Sequence, residues 1–500
     1  MNGEAGASRY SWKKTSTTAN SLVDGLNGAS RYGLKRFLYF VQQKGLPFAS
    51  AIKLQTLIFM QHKSFLAKAF TKSLGIALLF SLFLSSCTEE NCTYTYTYYE
   101  PIYLSFEDLR SAPIRSEAAQ PLGEVGKIYY KDNYIFINER GRGIHLINNS
   151  NPSAPINEAF IPIAGNYDIA IAGNTLYADN YTDLLVLDIG DKRNIRLAQR
   201  LENAFDQQQF MTSMPFVSGR VGEGGIIVDW KATTVSSNYN CEEDFMLQVD
   251  QATGDNRDAW VSTGAEASAG NASSDANSYS PNYGVGGSMA RFTLAQGHLY
   301  TLNGFLLNTY NILTPTHPTL TSRVEVAFDV ETIFPYRNFL FFGSQTGMLL
   351  YDNQNPAEPQ FISRYDHLNS CDPVVVEGNI AYVTLRSGTN CNNFINELHI
   401  LDLTNVYRPE LLSVQPMFNP HGLGIDRGTL FICDGAQGLK VFDAKNPLSL
   451  RLLGNFAAQN AYDVIPLGNT LLLIAADGLY QYDYTDPENL RLLSHLAISK

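Results

Sequence analysis

The most constraining feature of this chain is a period. A strand-like apolar run ends in Asp or Asn, and three residues later comes Asn, Asp or Thr, often followed by proline, as in LYADNYTDLLVLDIGD (Leu176 to Asp191). The terminal residues are Asn148, Asp188, Asn311, Asp352, Asp402, Asp443 and Asp483, spaced by 40, 123, 41, 50, 41 and 40. Seven copies of a unit of about 40 residues follow, with one insertion of about 83 residues and one of about 9. A second marker shares the period: Asp132-Asn133, Gly173-Asn174, Gly297-His298, Arg337-Asn338, Gly378-Asn379, Arg427-Gly428 and Gly468-Asn469. Most of these dipeptides tolerate the positive φ that a two-residue hairpin turn requires.

Each unit reads as four short strands. In the second copy these are Asp168 to Ala172, Thr175 to Asn180, Leu184 to Ile189 and Ile195 to Glu202. The Asp-x-x-Asn-Pro element, clearest at Asp352 to Pro356 and Asp443 to Pro447, is a turn: Asx side chains accept from nearby backbone N–H groups and proline fixes φ. Four strands per 40 residues, repeated seven times, predict an all-β fold, a β-propeller of about seven four-stranded blades over residues 126–500. A linear β-solenoid is the rival, though its units are usually shorter. The blade count stays open between six, seven and eight, because Pro101 to Phe106 could supply a strand that closes the ring, or strands inside the large insertion (about 206–291) could make an eighth blade. The 28 Tyr and 28 Phe residues agree with β structure.

Charge divides the chain. Residues 1–87 hold 11 Lys or Arg against 2 acidic residues, leaving 25 basic and 46 acidic residues to the remainder. Such a surface repels phosphate backbones, so nucleic acid is not an expected partner. The apolar run Leu74 to Leu84 is too short to span a bilayer but matches the core of a secretory signal, with Lys63, Lys68 and Lys72 ahead of it. Leu84-Ser85-Ser86-Cys87 resembles the bacterial lipobox, which makes Cys87 the lipid attachment point; an uncleaved buried helix with an incidental cysteine is the alternative. Residues 60–86 then form a complete lipoprotein signal starting at Met60. Residues 1–59 read as an over-called extension, and 87–125 as a lipidated tether and N-terminal segment. Membrane attachment through this lipid is the expected partner interaction. Glu89 and Glu90 resemble the export signal to the outer leaflet of the outer membrane, with a plain acidic linker and a periplasmic-facing protein as the alternative.

Leu184 to Ile189 (LLVLDI), with His399 to Leu403 and Lys440 to Ala444 as variants, resembles the LVIVD repeat of bacterial and archaeal surface proteins. From Cys87 onward the chain resembles the LVIVD-repeat lipoproteins of Bacteroidetes-type bacteria, and the block from Cys371-Asp372-Pro373 to Thr384-Leu385-Arg386-Ser387-Gly388 is similar to one found there. The resemblance implies a propeller at the cell surface and implies no particular ligand or reaction.

In a propeller the hairpin turns named above lie on one face, and both insertions lie on the other. Binding residues tend to sit on variable loops held by a rigid frame, which makes the loop-rich face the candidate surface and the hairpin face plain scaffold. The tract Thr263 to Gly287, rich in Gly, Ser, Ala and Asn, has the composition of a flexible segment, while Gly225 to Trp230 is strand-like. Cys371 and Cys391 flank the first two strands of one blade at that face, so a disulfide between them is expected in an oxidising compartment, against a pair of buried thiols. Glu139, Asp168, Asp179, Asp372, Arg386, His421, Asp434, Asp463 and Asp477 fall just before first strands or just after second strands, at the mouth of the channel. Converging carboxylates bind cations or act as acid and base; the plainer expectation is solvated strand caps, since Asp168 and Asp463 both stand five residues before a turn glycine. No zinc spacing, nucleophile elbow, phosphate loop or dinucleotide fingerprint occurs, so no metal and no cofactor is expected and no catalytic residue is named. Two classes of function follow: a surface lipoprotein that binds an envelope protein or glycan, or a propeller hydrolase or lyase acting on an extracellular polymer.

Overall fold

A computed structural model describes residues 91–205, 225–240, 283–327, 330–367, 373–387 and 395–499. Nearly all of these belong to one compact unit formed by Thr95–Ser236 and Gln251–Lys500. Seven antiparallel blades follow one another along the chain. Their first strands are Val125–Lys131, Ile169–Ala172, Phe292–Ala295, Val330–Tyr336, Val374–Glu377, Leu423–Asp426 and Ala461–Leu467. These lie side by side around a central channel, and the first blade meets the seventh to close the ring. The expected strands of the second repeat are present with ends shifted by at most a residue: Ile169–Ala172, Thr175–Asn180, Asp183–Asp188 and Arg196–Leu201.

The burial pattern explains the sequence pattern. Second and third strands such as Thr175–Asn180 and Asp183–Asp188 are buried on both faces, because each blade is sandwiched between two others. Fourth strands such as Glu410–Pro416 and Arg491–Ala497 alternate between exposed and half-buried at the rim. Glu117–Ala118 covers part of this rim on blade one and Arg115 bridges to Arg196 on blade two; every fourth strand carries a bulge against the third strand, which breaks the flat ladder another chain could join.

Both periodic markers have local causes. At all seven terminal Asx residues the side-chain Oδ1 accepts the backbone N–H two residues on, for instance Gly190 N to Asp188 at 2.9 Å and Thr404 N to Asp402 at 2.7 Å. The next residue then donates its N–H to the hairpin turn of its own blade, as Ile189 does to Asn174 O at 2.8 Å. The hairpin turns divide into two kinds. Asp132-Asn133, Gln296-Gly297 and Arg427-Gly428 have positive φ at both positions, the type I′ pattern; at Gly173, Arg337, Gly378 and Gly468 only the first position does, the type II′ pattern. The third-repeat pair is therefore Gln296-Gly297 rather than Gly297-His298, and His298 opens the next strand.

Neighbouring blades are tied by hydroxyls that recur in register. Tyr177, Tyr300 and Tyr382, each third in a second strand, donate to Pro315 O (2.8 Å), Pro356 O (2.9 Å) and Ala444 O (3.3 Å) in the Asx turn of the following blade. Ser322, Ser363, Ser413 and Ser494, each beside the fourth-strand bulge, donate to Ala357 O, Val406 O, Pro447 O and Pro152 O at 2.6 to 3.0 Å. The last of these spans the seam between blades seven and one, as does Gln481 Nε2 to Asn149 Oδ1 at 2.7 Å.

Among the described residues, neither Pro101 to Phe106 nor the insertion supplies a strand that closes the ring or builds an eighth blade; the insertion's one blade contact by strand pairing is the short Val285–Gly286 on the first strand of blade one. Asn91–Leu104 pairs instead with Ile226–Asn240, antiparallel as judged from Thr95 to Ser236 and Thr97 to Thr234, both 2.9 Å. A short helix, Phe106–Ser111, is capped by Ser105 and docks on the second blade through a bidentate Arg110 to Asp183 pair at 2.9 and 3.0 Å. Arg110 and Arg200 hold the Asp183 carboxyl low against the burial that would raise it. No described helix is long and apolar enough to cross a membrane.

Candidate functional site

The loop-rich mouth of the channel is occupied by the chain itself. Residues Tyr283 to Arg291, the end of the long connection between the second and third blades, run across the channel. Val285–Gly286 add a short strand to the inner edge of blade one, opposite Tyr130 and Tyr129. Gly284 N donates to Ile171 O of blade two at 2.9 Å, and Ile333 N of blade four donates to Ala290 O at 2.9 Å. Leu423 N of blade six donates to Ser288 Oγ at 2.8 Å, and that hydroxyl donates to Asp463 Oδ1 of blade seven at 3.3 Å. The segment is a plug held by five blades besides blade three, into which it runs and whose Gly297 N donates to Tyr283 OH at 2.7 Å. The tract expected to be flexible thus ends in a built element, because its glycines permit close approach: a Cβ at Gly287 would overlap Asp463 Oδ2. Thr263 to Asn282 lie outside the described residues.

The candidate carboxylates are not solvated caps. Glu139, Asp168, Asp179, Asp434 and Asp463 are all at most 5% exposed. Asp168 and Asp463 share Lys127 as their cation; Lys127 Nζ lies 3.3 Å from Asp168 Oδ2 and also donates to Met289 O of the plug. Asp168 further accepts from Ile169 N at 2.8 Å and from Arg291 N. Asp179 Oδ1 accepts from Asn166 Nδ2 (2.7 Å), Tyr167 N (2.7 Å) and Asp168 N (3.0 Å), while its Oδ2 faces Arg291 at 3.5 Å. Asp434 does the same in blade six, accepting from Phe418 N at 3.0 Å and Asn419 N at 2.8 Å and pairing with Lys440 at 2.5 Å. A carboxylate at the end of a second strand therefore clamps the loop that enters the same blade.

The remaining candidates fall into separate groups. Glu139 bonds His145 Nε2 at 2.7 Å and Arg142, within blade one. Asp477 accepts from Tyr480 OH at 2.6 Å. His421 stacks on Tyr462 with ring centroids 5.0 Å apart, and Arg140 packs on the same ring and donates to its hydroxyl at 2.6 Å. Arg386 is near enough to His421 to act on its charge. Cys87, Cys371, Asp372 and Cys391 lie outside the described residues. Cys433 is a buried free thiol in blade six whose pKa burial pushes well up, a packing residue.

Burial sets the electrostatics. It raises the Asp463 carboxyl to about 7, and Lys127 and the Val464 and Ser288 hydrogen bonds offset this only in part. Asp463 Oδ2 makes no hydrogen bond of ordinary geometry, although the Met289 amide lies near. Burial likewise raises Asp179 to about 6, lowers Lys127, and together with Arg386 lowers His421 to about 4. Burial thus shifts the carboxylates, the lysine and the imidazole at the mouth toward their neutral forms. Among the described residues no group of three or more His, Cys, Asp or Glu is placed to hold a metal ion.

A model of the LVIVD repeat family matches residues 165–202. The second blade carries an LVIVD repeat. No curated protein matches the chain. Among solved structures it is similar to the computationally designed Ika8 protein (10% identity, TM-score 0.45, covering 77% of this chain and 92% of that one). A functionally unknown protein from Desulfotomaculum acetoxidans (11%, 0.45, 73% and 96%) and BamB from Moraxella catarrhalis (10%, 0.40, 73% and 85%) are similar at the same level.

Sequence reasoning missed Lys127, which reaches Asp168 from the adjacent first strand of blade one, and Ser288 and Arg291, which the plug brings to the carboxylates. It also missed the tyrosine ties, although Tyr177, Tyr300 and Tyr382 stand two residues after each second strand begins and so carried a signal in the repeat register.

Proposed function

We propose that this protein is a lipid-anchored cell-surface propeller that serves as a binding scaffold through its loop-rich face. The observation that carries this reading is the fixed base of the long connection. It leaves blade two with Phe205 N bonded to Thr182 O at 2.9 Å and the Phe205 ring stacked on Phe292 at 5.7 Å. It returns through the plug, tied to five blades. A variable segment anchored at both ends on a rigid frame is how loops come to recognise partners. The charged groups at the mouth are engaged in holding that base, which favours binding over the rival reading of a hydrolase or lyase. The lipobox-like Leu84 to Cys87 after its apolar run, with Glu89 and Glu90, supports anchoring at the outer leaflet of an outer membrane, as in the LVIVD-repeat lipoproteins the chain resembles.

The partner on this reading is an envelope protein or glycan. Pull-down from intact outer membranes together with a glycan array tests it, using the full chain and one in which residues 206–282 are replaced by a short Gly-Ser linker. Capture lost with the linker supports the reading; identical capture by both chains, or turnover of a polymer abolished by Arg386→Ala, overturns it. Labelling with radioactive palmitate should fail in Cys87→Ser, and protease added to intact cells should release the propeller.

A further inference from the structure

The hairpin-turn end of the channel, expected to be scaffold, contains a cavity of about 420 Å³. Its walls are the first strands of blades four to seven, from Phe334 and Tyr336 round to Val464 and Pro466, and its roof is Val285, Gly286 and Ser288 of the plug. A cavity of this size is in the range of ligand sites. It is blind, because the plug closes the end toward the loop-rich face.

First strands present a backbone edge to the channel, and which groups face inward follows from register. In a two-residue hairpin the closing pair is hydrogen-bonded within the blade, so the residue before it points its N–H and C=O the other way. The bonds made by Ile333 N, Leu423 N and Ile171 O to the plug all have this parity. The closing pairs Glu377↔Ile380 and Asp426↔Thr429 therefore turn Val376 and Ile425 toward the cavity. Neither backbone N–H has a partner among the described residues. At the equivalent place blades four and seven carry Pro335 and Pro466, which have no N–H to give. Donating edges in this cavity are thus confined to the adjacent blades five and six.

We infer that this cavity receives the free N-terminal end of an extended polypeptide, which adds as a strand to the inner edge of blade five or six. The plug is the precedent: Val285–Gly286 binds the edge of blade one in the same channel by the same pairing. A blind cavity admits a chain end and excludes a through-running segment. The charged residues in its wall are Glu377 and Asp426; Asp426 is already paired with Arg427 and accepts from Tyr484 OH at 2.7 Å, so Glu377 is the carboxylate that fits an ammonium and opposes a C-terminal carboxylate. Glu377 Oε2 accepts from Gly428 N at 2.8 Å, which leaves Oε1, and no cation pairs with it among the described residues. The nearby arginines do not reach Glu377: Arg427 lies on Asp426 and Gly468 O, and Arg337 donates to Asn379 at 3.2 Å. This inference concerns the face opposite the proposed binding surface and stands independently of it.

The test uses the full chain in detergent and the peptide Gly-Val-Gly-Val-Gly with a C-terminal fluorophore, either with a free amino terminus or acetylated, read by fluorescence anisotropy. The free peptide should bind at least tenfold more tightly than the acetylated one. Glu377→Gln should weaken the free peptide by about tenfold and leave the acetylated one unchanged. Val376→Pro and Ile425→Pro each remove one inward N–H without breaking a blade hydrogen bond, and the variant on the edge that the peptide joins should weaken both peptides. If that variant does not fold, a peptide N-methylated at alternate residues makes the same test from the ligand side. Equal binding of free and acetylated peptides, no binding at millimolar concentration, or indifference to Glu377→Gln overturns the inference.

Discussion

Replacing Asp463 with asparagine should change how the stability of the fold depends on pH. The carboxyl is buried, faces Gly287 of the plug, and is pushed up to about 7, whereas an unfolded aspartate titrates near 3.9. The folded state therefore holds the proton more tightly than the unfolded state. Stability from this group is complete below about pH 4 and is lost as pH rises through about 7. Three pKa units correspond to an upper bound of about 4 kcal/mol. Asparagine keeps an oxygen for the Val464 amide and the Ser288 hydroxyl and carries no charge at any pH. It also withdraws one carboxylate from Lys127, which reduces the expected gain to about 2 kcal/mol above pH 7. Denaturant unfolding of both proteins at each pH unit from 4 to 8 measures the difference. Asp179, with a slope of the same sign, and His421, with the opposite slope, are common to both and drop out of that difference. A gap between the two proteins that stays constant from pH 4 to 8 would refute the argument that burial governs Asp463.

The remaining predictions concern single contacts. Gly287→Ala places a methyl against Asp463 and should cost about 1–3 kcal/mol, and much of that should return in the double variant Gly287→Ala, Asp463→Ala, read by thermal unfolding. Tyr300→Phe leaves Asn353 and Pro356 O without their donor and should cost about 1–2 kcal/mol in denaturant. Asp188→Ala removes the side-chain acceptor of the Gly190 amide and should cost about 1 kcal/mol, with little change when the replacement is asparagine. His421 is buried neutral and lowered to about 4, so the stability it provides above about pH 6.5 is lost as pH falls toward 4; an imidazole NMR titration with a midpoint near 6.5 would contradict its burial against Tyr462.

The blades were legible because each of their signals is local. An Asx side chain bonds the amide two residues on whatever the rest of the molecule does, and a positive-φ turn selects its residues within four positions. Those rules repeat every 40 residues and so add up. The third-repeat turn slipped by one because Gly297 fits either position, and only the pairing of Ala295 with His298 decides between them. The mouth was legible as a place and not as chemistry. Asp168, Asp179 and Asp463 were assigned to the right end of the channel by register alone, but whether a carboxylate there is wet or dry depends on what covers it. The cover comes from residues 283–291, more than a hundred positions from Asp168 and Asp463 alike, in a segment whose glycines have the composition of a linker. The same glycines let the backbone lie against Asp463.

The plug also explains how the ring holds shut. Each described blade is built from consecutive strands, so the seam between blades seven and one has no shared strand to lock it. What crosses directly is a set of side-chain and single backbone ties: Gln481 to Asn149, Ser494 to Pro152 O, and Ser499 N to Leu122 O at 3.0 Å, over a core of Ile128, Ile137, Leu472 and Ile474. The plug bonds both sides of this seam, through Val285–Gly286 and Met289 O to blade one and through Ser288 to Asp463 of blade seven. In an array whose repeats otherwise contact only their neighbours, a segment that ties blades one, two, four, six and seven together makes opening at the seam costly for the whole ring. A buried carboxylate that titrates near neutrality is then tolerable at this point, because the plug that desolvates it belongs to the structure that closes the propeller.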